Sequence, residues 1–215
     1  MAWLRYPTIL LLASAAVVLL LTTRYYHEAS DKTSPGSISS VSHLADAEIS
    51  KINIKVSELE KFASDKKFSR KFIFFVDMSL PSGKNRFFVY DLAKDSIVKT
   101  SLVAHGSGNS GFSITPKFSN QKESSCTALG KYRIGKSYAG RFGTAYKLYG
   151  LDSSNSNAFS RYIVLHSYSC VPEQETYPLP ICNSRGCPMV SLSFLKQLEN
   201  IINRSKEPVL LWIFN

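Results

Sequence analysis

The chain has 215 residues, of which 44% are hydrophobic and 20% charged, so it can hold one ordinary hydrophobic core and is not wholly disordered. Eleven glycines and nine prolines exclude a collagen-like sequence, and four cysteines are too few for a disulfide-dense scaffold. The net charge of +10 favours a polyanionic partner such as lipid headgroups or a carboxylate-bearing polymer, whereas the scattered basic residues predict no nucleic-acid partner.

The N-terminal segment predicts export. Arg5 precedes an apolar run from Ile9 to Leu21 that only Ser14 interrupts, as in the basic and apolar regions of an export signal. No small-x-small cleavage site follows, and the apolar stretch is at the short limit for a spanning helix. We therefore predict that residues 1–23 are an uncleaved membrane anchor, with a cleaved signal peptide as the alternative. Either way, we expect the rest of the chain to be translocated.

Two short segments follow the predicted anchor. Residues 24–43 are polar and rich in serine, which predicts a tether. Apolar side chains recur at near-helical spacing in residues 44–66, which predicts one amphipathic helix. We expect this helix to pack against the following domain, with partner binding as the alternative.

Residues 70–215 alternate between strand patterns and turns. Aromatic and β-branched runs predict strands at 72–78, 85–91, 96–104, 131–135, 144–149, 162–168 and 208–214. Ser191 is a suitable N-cap for a helix that continues to Asn203. Residues 105–126 are rich in glycine, serine and asparagine, which predicts a long functional loop. The pattern therefore predicts a β-rich α+β domain, mainly antiparallel, with one or two helices.

The segment from Gly106 to Gly111 matches the spacing G-x-G-x-x-G. A dinucleotide site would need a helix directly after it and an acidic residue on a second parallel strand. The sequence continues instead with Ile114, Thr115 and a proline, so we predict a flexible loop. Its backbone amides, including that of Gly106, can approach a ligand because glycine allows close contact.

His166 and Cys187 are the candidate pair for covalent chemistry. His166 lies at the end of an apolar strand pattern, and Cys187 lies in a Ser-Arg-Gly-Cys-Pro turn over residues 184–188. A thiol attacks a carbonyl as the thiolate, and a nearby imidazole takes up and later returns the proton. Ser184 can orient the turn, and a small residue before the thiol lets a backbone amide face a developing oxyanion.

The cysteines allow other interpretations. His166, Cys170, Cys182 and Cys187 could bind zinc, but their spacing lacks the tight C-x-x-C pattern, so we predict no metal ligand. A disulfide between Cys170 and Cys182 is more natural in an oxidising compartment and would leave Cys187 free. Cys126 would then be unpaired, although it could equally pair with one of the others.

These residues resemble the L,D-transpeptidase catalytic domain of bacterial cell-wall enzymes, in which a strand histidine is followed by a Ser-x-Gly-Cys signature. Residues 127–132 are similar to the family's Thr-Pro-x-Gly-x-Phe turn, and Tyr146 lies where the family has a tyrosine on the preceding strand. Together with residues 75–83, 130–135 and Gly186-Cys187-Pro188, these matches resemble a divergent branch described as murein L,D-transpeptidase catalytic-domain proteins. The resemblance covers about residues 70–214.

The resemblance implies an L,D-transpeptidase-like β-sandwich that acts without a metal or an organic cofactor. Cys187 would be the nucleophile, His166 the general base and then acid, and the Gly186 and Cys187 amides part of the oxyanion hole. The donor would be a peptidoglycan stem tetrapeptide, which releases D-Ala and passes its acyl group to a neighbouring stem as a 3→3 cross-link. The location would be the bacterial cell envelope, periplasmic or extracytoplasmic.

Two alternatives to the transpeptidase stay open. Water as the acceptor would make the protein an L,D-carboxypeptidase or a related wall-peptide hydrolase. A non-catalytic cell-wall-binding module, stabilised by zinc, is an alternative of another class.

The chain departs from the family signature beside the cysteine. The common arginine two residues after the cysteine is replaced by Met189, and the frequent histidine two residues before it is replaced by Arg185. Because that arginine would contact a substrate carboxylate, we expect Arg185 or Arg133 to substitute for it. Tyr146 and Gly106 are the other predicted substrate contacts.

Overall fold

An eight-stranded β-sheet and two α-helices form the framework of residues 46–65 and 67–215, the part of the chain that this computed structural model describes. The strands are β1 (Phe72–Asp77), β2 (Phe87–Asp91), β3 (Ser96–Ser101), β4 (Gly130–Gly140), β5 (Gly143–Gly150), β6 (Val164–Ser167), β7 (Met189–Val190) and β8 (Leu210–Phe214). The helices are α1 (Asp46–Asp65) and α2 (Leu192–Arg204).

The predicted anchor and tether, residues 1–43, lie outside the described residues. Within the described part of the chain, no helix has both the length and the apolar character that a bilayer crossing requires. The helix predicted over residues 44–66 is present as α1.

The strands follow the order β3-β2-β1-β8-β4-β5-β6-β7 in one continuous sheet. The β1–β8 and β6–β7 pairs are parallel, and the other pairs are antiparallel. The prediction of a β-rich, mainly antiparallel α+β domain is therefore confirmed. Strand β8 lies between β1 and β4. It therefore joins the three strands β1–β3 on one side to the four strands β4–β7 on the other.

Helix α1 covers one face of the sheet. Its side chains Ile52, Val56 and Leu59 are buried at helical spacing and pack with Phe75 and Trp212 from the strands. Full burial of one such aliphatic side chain contributes about 1.5–3 kcal/mol. The helix is therefore held to the sheet by its apolar face, as the sequence predicts.

The opposite face of the sheet packs against α2. Alternate strand residues point to opposite faces, so Phe74 lies in this second cluster although its neighbours face α1. Phe194 and Leu198 of α2 are buried in the same cluster. The Ser191 hydroxyl accepts the Phe194 N–H at 3.3 Å, which confirms the predicted N-cap. This packing fixes β7, and with it the turn that carries Cys187.

The segment between β3 and β4 contains no regular strand, as the predicted long loop requires. Isolated bridges join it to the rest of the domain, where Ala104 pairs with Met189 and Gly106 with Ser184, and a third bridge, between Phe118 and Thr127, lies within the segment itself. Strand β4 is longer than predicted and continues into a hairpin with β5.

Candidate active site

A groove of about 1340 Å³ lies beside the β6–β7 edge of the sheet. Both His166 and Cys187 line it. The other walls are formed by the loop after β3, the tip of the β4–β5 hairpin, and the segment before β6. The two candidate catalytic side chains, 21 residues apart in sequence, therefore face one cavity.

His166 is held on β6 with one ring nitrogen occupied. Its Nδ1 lies 3.0 Å from the Ser167 carbonyl oxygen, which only accepts, so Nδ1 carries the proton and Nε2 keeps its lone pair. The ring stacks on Phe142 from the hairpin, with the centroids 5.5 Å apart. Burial lowers the pKa of His166, and the bond to Ser167 opposes this shift. The imidazole is therefore neutral at pH 7, as a general base must be.

The Cys187 sulfur has two backbone partners. The Val164 N–H donates to Sγ at 3.5 Å, and the thiol donates to the Tyr162 carbonyl at 3.8 Å. Burial raises the pKa of Cys187, while the Val164 N–H and the Arg161 charge act in the opposite direction. Among the described hydrogen bonds of this sulfur there is none to His166. The resting site therefore contains a protonated thiol and a neutral imidazole.

The turn before Cys187 is fixed by its own hydrogen bonds. The Ser184 N–H donates to the His105 carbonyl at 2.8 Å, and the Ser184 hydroxyl accepts the Gly186 N–H at 3.0 Å. Gly186 has a φ of +109°, and a Cβ there would lie 2.6 Å from the Cys126 carbonyl oxygen, so only glycine fits.

These bonds correct one prediction. The Gly186 N–H is occupied by Ser184 and is not free for an oxyanion. The Cys187 N–H, for which the described residues provide no acceptor, stays available as a donor.

The predicted substrate contacts are only partly in the groove. Arg185 is exposed and lines it. Tyr146 does not: its side chain is buried in the core and its hydroxyl bonds to Asn203 Oδ1 at 3.1 Å. Arg133 lies outside the groove as well, because its guanidinium stacks on the Tyr149 ring at 3.9 Å.

Gly106 is also absent from the groove wall. It is buried, and its N–H donates to Thr127 Oγ1 at 3.0 Å. A Cβ at this position would lie 2.2 Å from the Ser125 carbonyl oxygen. The glycine is thus required for close packing behind the turn, which corrects the predicted ligand contact.

The groove has more cations than acids among its described lining residues. Four of these residues are basic and one is acidic: the bases are Lys122, Arg141, Arg161 and Arg185, and the acid is Glu123. Such a surface attracts a ligand that carries carboxylates. Sequence reasoning missed Arg141 and Arg161, because the hairpin and the loop that bring them to the groove are joined by long-range contacts.

A second histidine network lies behind the turn. Arg86 is fully buried and donates to the Val103 carbonyl at 2.8 Å, to the Leu80 carbonyl at 3.0 Å and to His105 Nδ1 at 2.9 Å. Because arginine only donates, the His105 proton is on Nε2, which lies 3.0 Å from the Ser113 carbonyl oxygen. This arrangement gives His105 a structural role, because both of its ring nitrogens are hydrogen-bonded.

The cysteines are arranged as the disulfide interpretation predicts. Cys170 and Cys182 form a disulfide, whereas Cys126 and Cys187 are free. Because both bridged sulfurs are occupied, the proposed four-residue zinc set cannot form. No group of three His, Cys, Asp or Glu side chains suited to a metal occurs within residues 46–65 and 67–215.

A sequence model of one protein family, described as L,D-transpeptidase catalytic domain, matches residues 44–214. No curated protein is significantly similar to the chain. Among solved structures, the chain is similar to the L,D-transpeptidase from Xylanimonas cellulosilytica, with 13% identity over 69% of this chain and 62% of that one and a TM-score of 0.39.

Two further solved structures are similar at the same level. One is the LD transpeptidase LdtMt1 in complex with imipenem, with 13% identity over 66% of this chain and 58% of that one and a TM-score of 0.40. The other is the helical cell shape determining protein Pgp2 from Campylobacter jejuni, with 12% identity over 68% and 49% and a TM-score of 0.37. The chain thus spans about half to three fifths of the length of these relatives.

Proposed function

Since this chain belongs to the L,D-transpeptidase catalytic domain family, we propose that it is a peptidoglycan L,D-transpeptidase with Cys187 as nucleophile and His166 as general base and acid. The observation that carries the proposal is a free thiol and an imidazole with a free Nε2 on the walls of one groove. The rest of the turn, with Ser184 bonded to the Gly186 amide, supports it by fixing the thiol on a rigid backbone.

In the first half-reaction, His166 Nε2 removes the Cys187 proton and Sγ attacks the carbonyl carbon of the third stem residue. A C–S bond forms, and the carbonyl oxygen becomes an oxyanion that the Cys187 N–H can bind. The intermediate then collapses: the C–N bond to D-Ala breaks, and the imidazolium returns its proton to the leaving amine. The product is a thioester with the third residue and free D-Ala.

In the second half-reaction, an amine of a neighbouring stem attacks the thioester carbonyl. His166 takes the proton from this amine, the new C–N bond forms and the C–S bond breaks. The released sulfur recovers its proton from the imidazolium. One amide is broken and one is made, so no oxidant, metal or nucleotide is consumed.

The charge of the groove supports a carboxylate-bearing donor. The exposed Arg185, together with Arg141, offers guanidinium groups that bind carboxylates in a bidentate manner. We assign to Arg185 the contact that the family's usual arginine would make at the position of Met189. We further propose a location in the bacterial cell envelope, with residues 1–23 as the membrane anchor.

The purified full-length chain should be incubated with disaccharide tetrapeptides, and the products analysed by mass spectrometry. We expect 3→3 dimers and free D-Ala, and a loss of both by at least about a thousandfold in Cys187→Ala. The matched control is Cys126→Ala, which removes the other free thiol and should keep the activity.

The outcomes separate the alternatives. Shortened monomers without dimers would identify an L,D-carboxypeptidase that uses the same pair. Retention of peptidoglycan without either product would identify a non-catalytic binding module. Full activity of Cys187→Ala would contradict the proposed mechanism.

A further inference from the structure

Arg161 is a half-buried arginine in the segment before β6, and it lines the groove with Cys187. Its guanidinium donates to three neutral oxygens: the Ser119 carbonyl at 2.8 Å, the Cys126 carbonyl at 2.7 Å and the Ser124 hydroxyl at 3.2 Å. No carboxylate in the described part of the chain forms an ion pair with it. The positive charge is therefore held firmly but is not neutralised.

The same guanidinium lies against the turn of residues 184–188, which carries Cys187. One terminal nitrogen is 3.3 Å from the position that a Cβ on Gly186 would occupy. The Cys126 carbonyl that accepts from Arg161 also contacts this position, at 2.6 Å. Arg161 thus binds the loop that ends at Cys126 and lies beside the residue directly before Cys187.

A charge in this place has a consequence for the sulfur. Arg161 and Cys187 are both half-buried, and in such surroundings a fixed cation stabilises an anion more strongly than it does in water. The neutral resting state of His166 provides no positive charge until the imidazole has accepted a proton. The charged and titratable groups that line the groove with Cys187 are Arg161, His166, Arg141, Arg185, Lys122, Glu123, Tyr162 and Tyr168, and the buried Tyr132 also interacts electrostatically with this sulfur.

We infer that Arg161 is a positioning residue that fixes the Cys126 loop against the turn and stabilises the anionic form of the Cys187 sulfur. The inference rests on the proposed function, in which this sulfur is the nucleophile. The Coulombic effect of Arg161 on Cys187 favours the thiolate, against the larger effect of burial, and agrees with this geometry. Among these described groups, Arg161 is the one that donates to the Cys126 carbonyl, which packs against Gly186.

The test measures the rate of Cys187 alkylation by iodoacetamide against pH, by intact mass, in a Cys126→Ala background. Arg161→Met should raise the midpoint of this profile by on the order of one pH unit. The thiolate fraction at pH 7 then falls about tenfold while its nucleophilicity rises about threefold, so the rate falls about threefold. Arg161→Lys keeps the charge and should keep the midpoint near that of the parent protein. Arg204→Gln, a charge removed at the end of α2, is the control and should not move it.

The outcomes are distinct from those that test the proposed function. Equal shifts in Arg161→Met and Arg161→Lys, or no shift in either, would overturn the inference while Cys187 stays reactive. A Cys187 that resists alkylation in the parent protein at every pH would instead contradict the proposed function.

If Arg161→Met does not fold, the Ser124→Asp and Ser124→Asn pair tests the same point. Asp at residue 124 would neutralise the guanidinium and should raise the midpoint. Asn keeps a neutral acceptor and should leave the midpoint unchanged. Identical profiles for the two variants would overturn the inference.

Discussion

Two regions of the molecule hold a histidine next to the turn of residues 184–188, and they differ in how many ring nitrogens are hydrogen-bonded. Behind the turn, His105 is fully buried and both nitrogens are bonded, one to Arg86 and one to the Ser113 carbonyl. In the groove, His166 uses Nδ1 alone. A histidine with both nitrogens bonded connects parts of the structure, whereas one with a free nitrogen can transfer a proton.

The largest expected effect is on catalysis. It should differ between His166 and His105, and equal effects would contradict the comparison of the two histidines. His166→Gln should lower the rate of thioester formation by about 10²–10⁴-fold, because it removes the general base. His105→Gln should lower thermal stability but keep the rate per folded molecule within a few fold. Acylation of each variant by a tetrapeptide donor, followed by intact mass, measures the rates. Comparable losses in the two variants would contradict the assigned roles.

The next effect concerns stability. Arg86→Met should destabilise the domain by about 3–5 kcal/mol, because the Val103 and Leu80 carbonyls and His105 Nδ1 each lose a buried partner. Arg70→Met, at an exposed position, is the control and should change stability by less than about 0.5 kcal/mol. Urea unfolding measures both. A loss below about 1 kcal/mol in Arg86→Met would mean that the network does not support the turn.

A pH effect of the same network sharpens the comparison. Burial, with the Arg86 charge as a smaller cause, lowers the pKa of His105 from 6.5 to about 4. Between these values the unfolded chain binds more protons than the folded one, so stability is full above about pH 6.5 and falls as the pH drops to 4. The loss is on the order of 3 kcal/mol. The midpoints of urea unfolding from pH 7 to pH 4 should show this loss, and in His105→Gln the stability should depend less on pH. The same pH dependence of stability in His105→Gln and in the parent protein would contradict the assignment to His105.

The smallest effect tests the corrected position of Tyr146. Tyr146→Phe removes one hydrogen bond, to Asn203, and should cost about 0.5–1.5 kcal/mol of stability. Because the side chain does not face the groove, KM for the donor peptide should stay unchanged. Steady-state kinetics measures this KM, and Arg185→Gln is the comparison variant, in which KM should rise. A raised KM in Tyr146→Phe would contradict the placement of Tyr146 outside the groove.

Local patterns predicted the framework well. The β-branched and aromatic runs identified β1, β2 and β8, and Ser191 identified the start of α2, because these signals depend on neighbours in sequence. The histidine at the end of a strand pattern and the Gly-Cys turn identified the groove pair for the same reason. The Cys170–Cys182 bridge followed from compartment chemistry.

The parts of the fold and of the site that the sequence did not predict depend on contacts between residues that are distant in the chain. Tyr162 was predicted as a strand residue, yet its φ is +57° and β6 begins at Val164, because residues 156–162 form turns in which the Tyr162 N–H donates to the Phe159 carbonyl at 3.1 Å. Arg86 meets a histidine 19 residues away, and Arg161 meets carbonyls 35 and 42 residues away. No periodicity in the sequence carries these pairings, so the network behind the turn and the charge beside the thiol became visible only in the fold.

The central place of β8 determines when the eight-stranded sheet can be completed. Strand β8 pairs with both β1 and β4, so the continuous ladder from β1–β3 to β4–β7 requires residues 210–214. A ribosome produces Cys187 before it produces this strand. The nascent protein therefore carries its candidate nucleophile before the ladder across β8 can close, and the complete sheet arrives after this sulfur in biosynthesis.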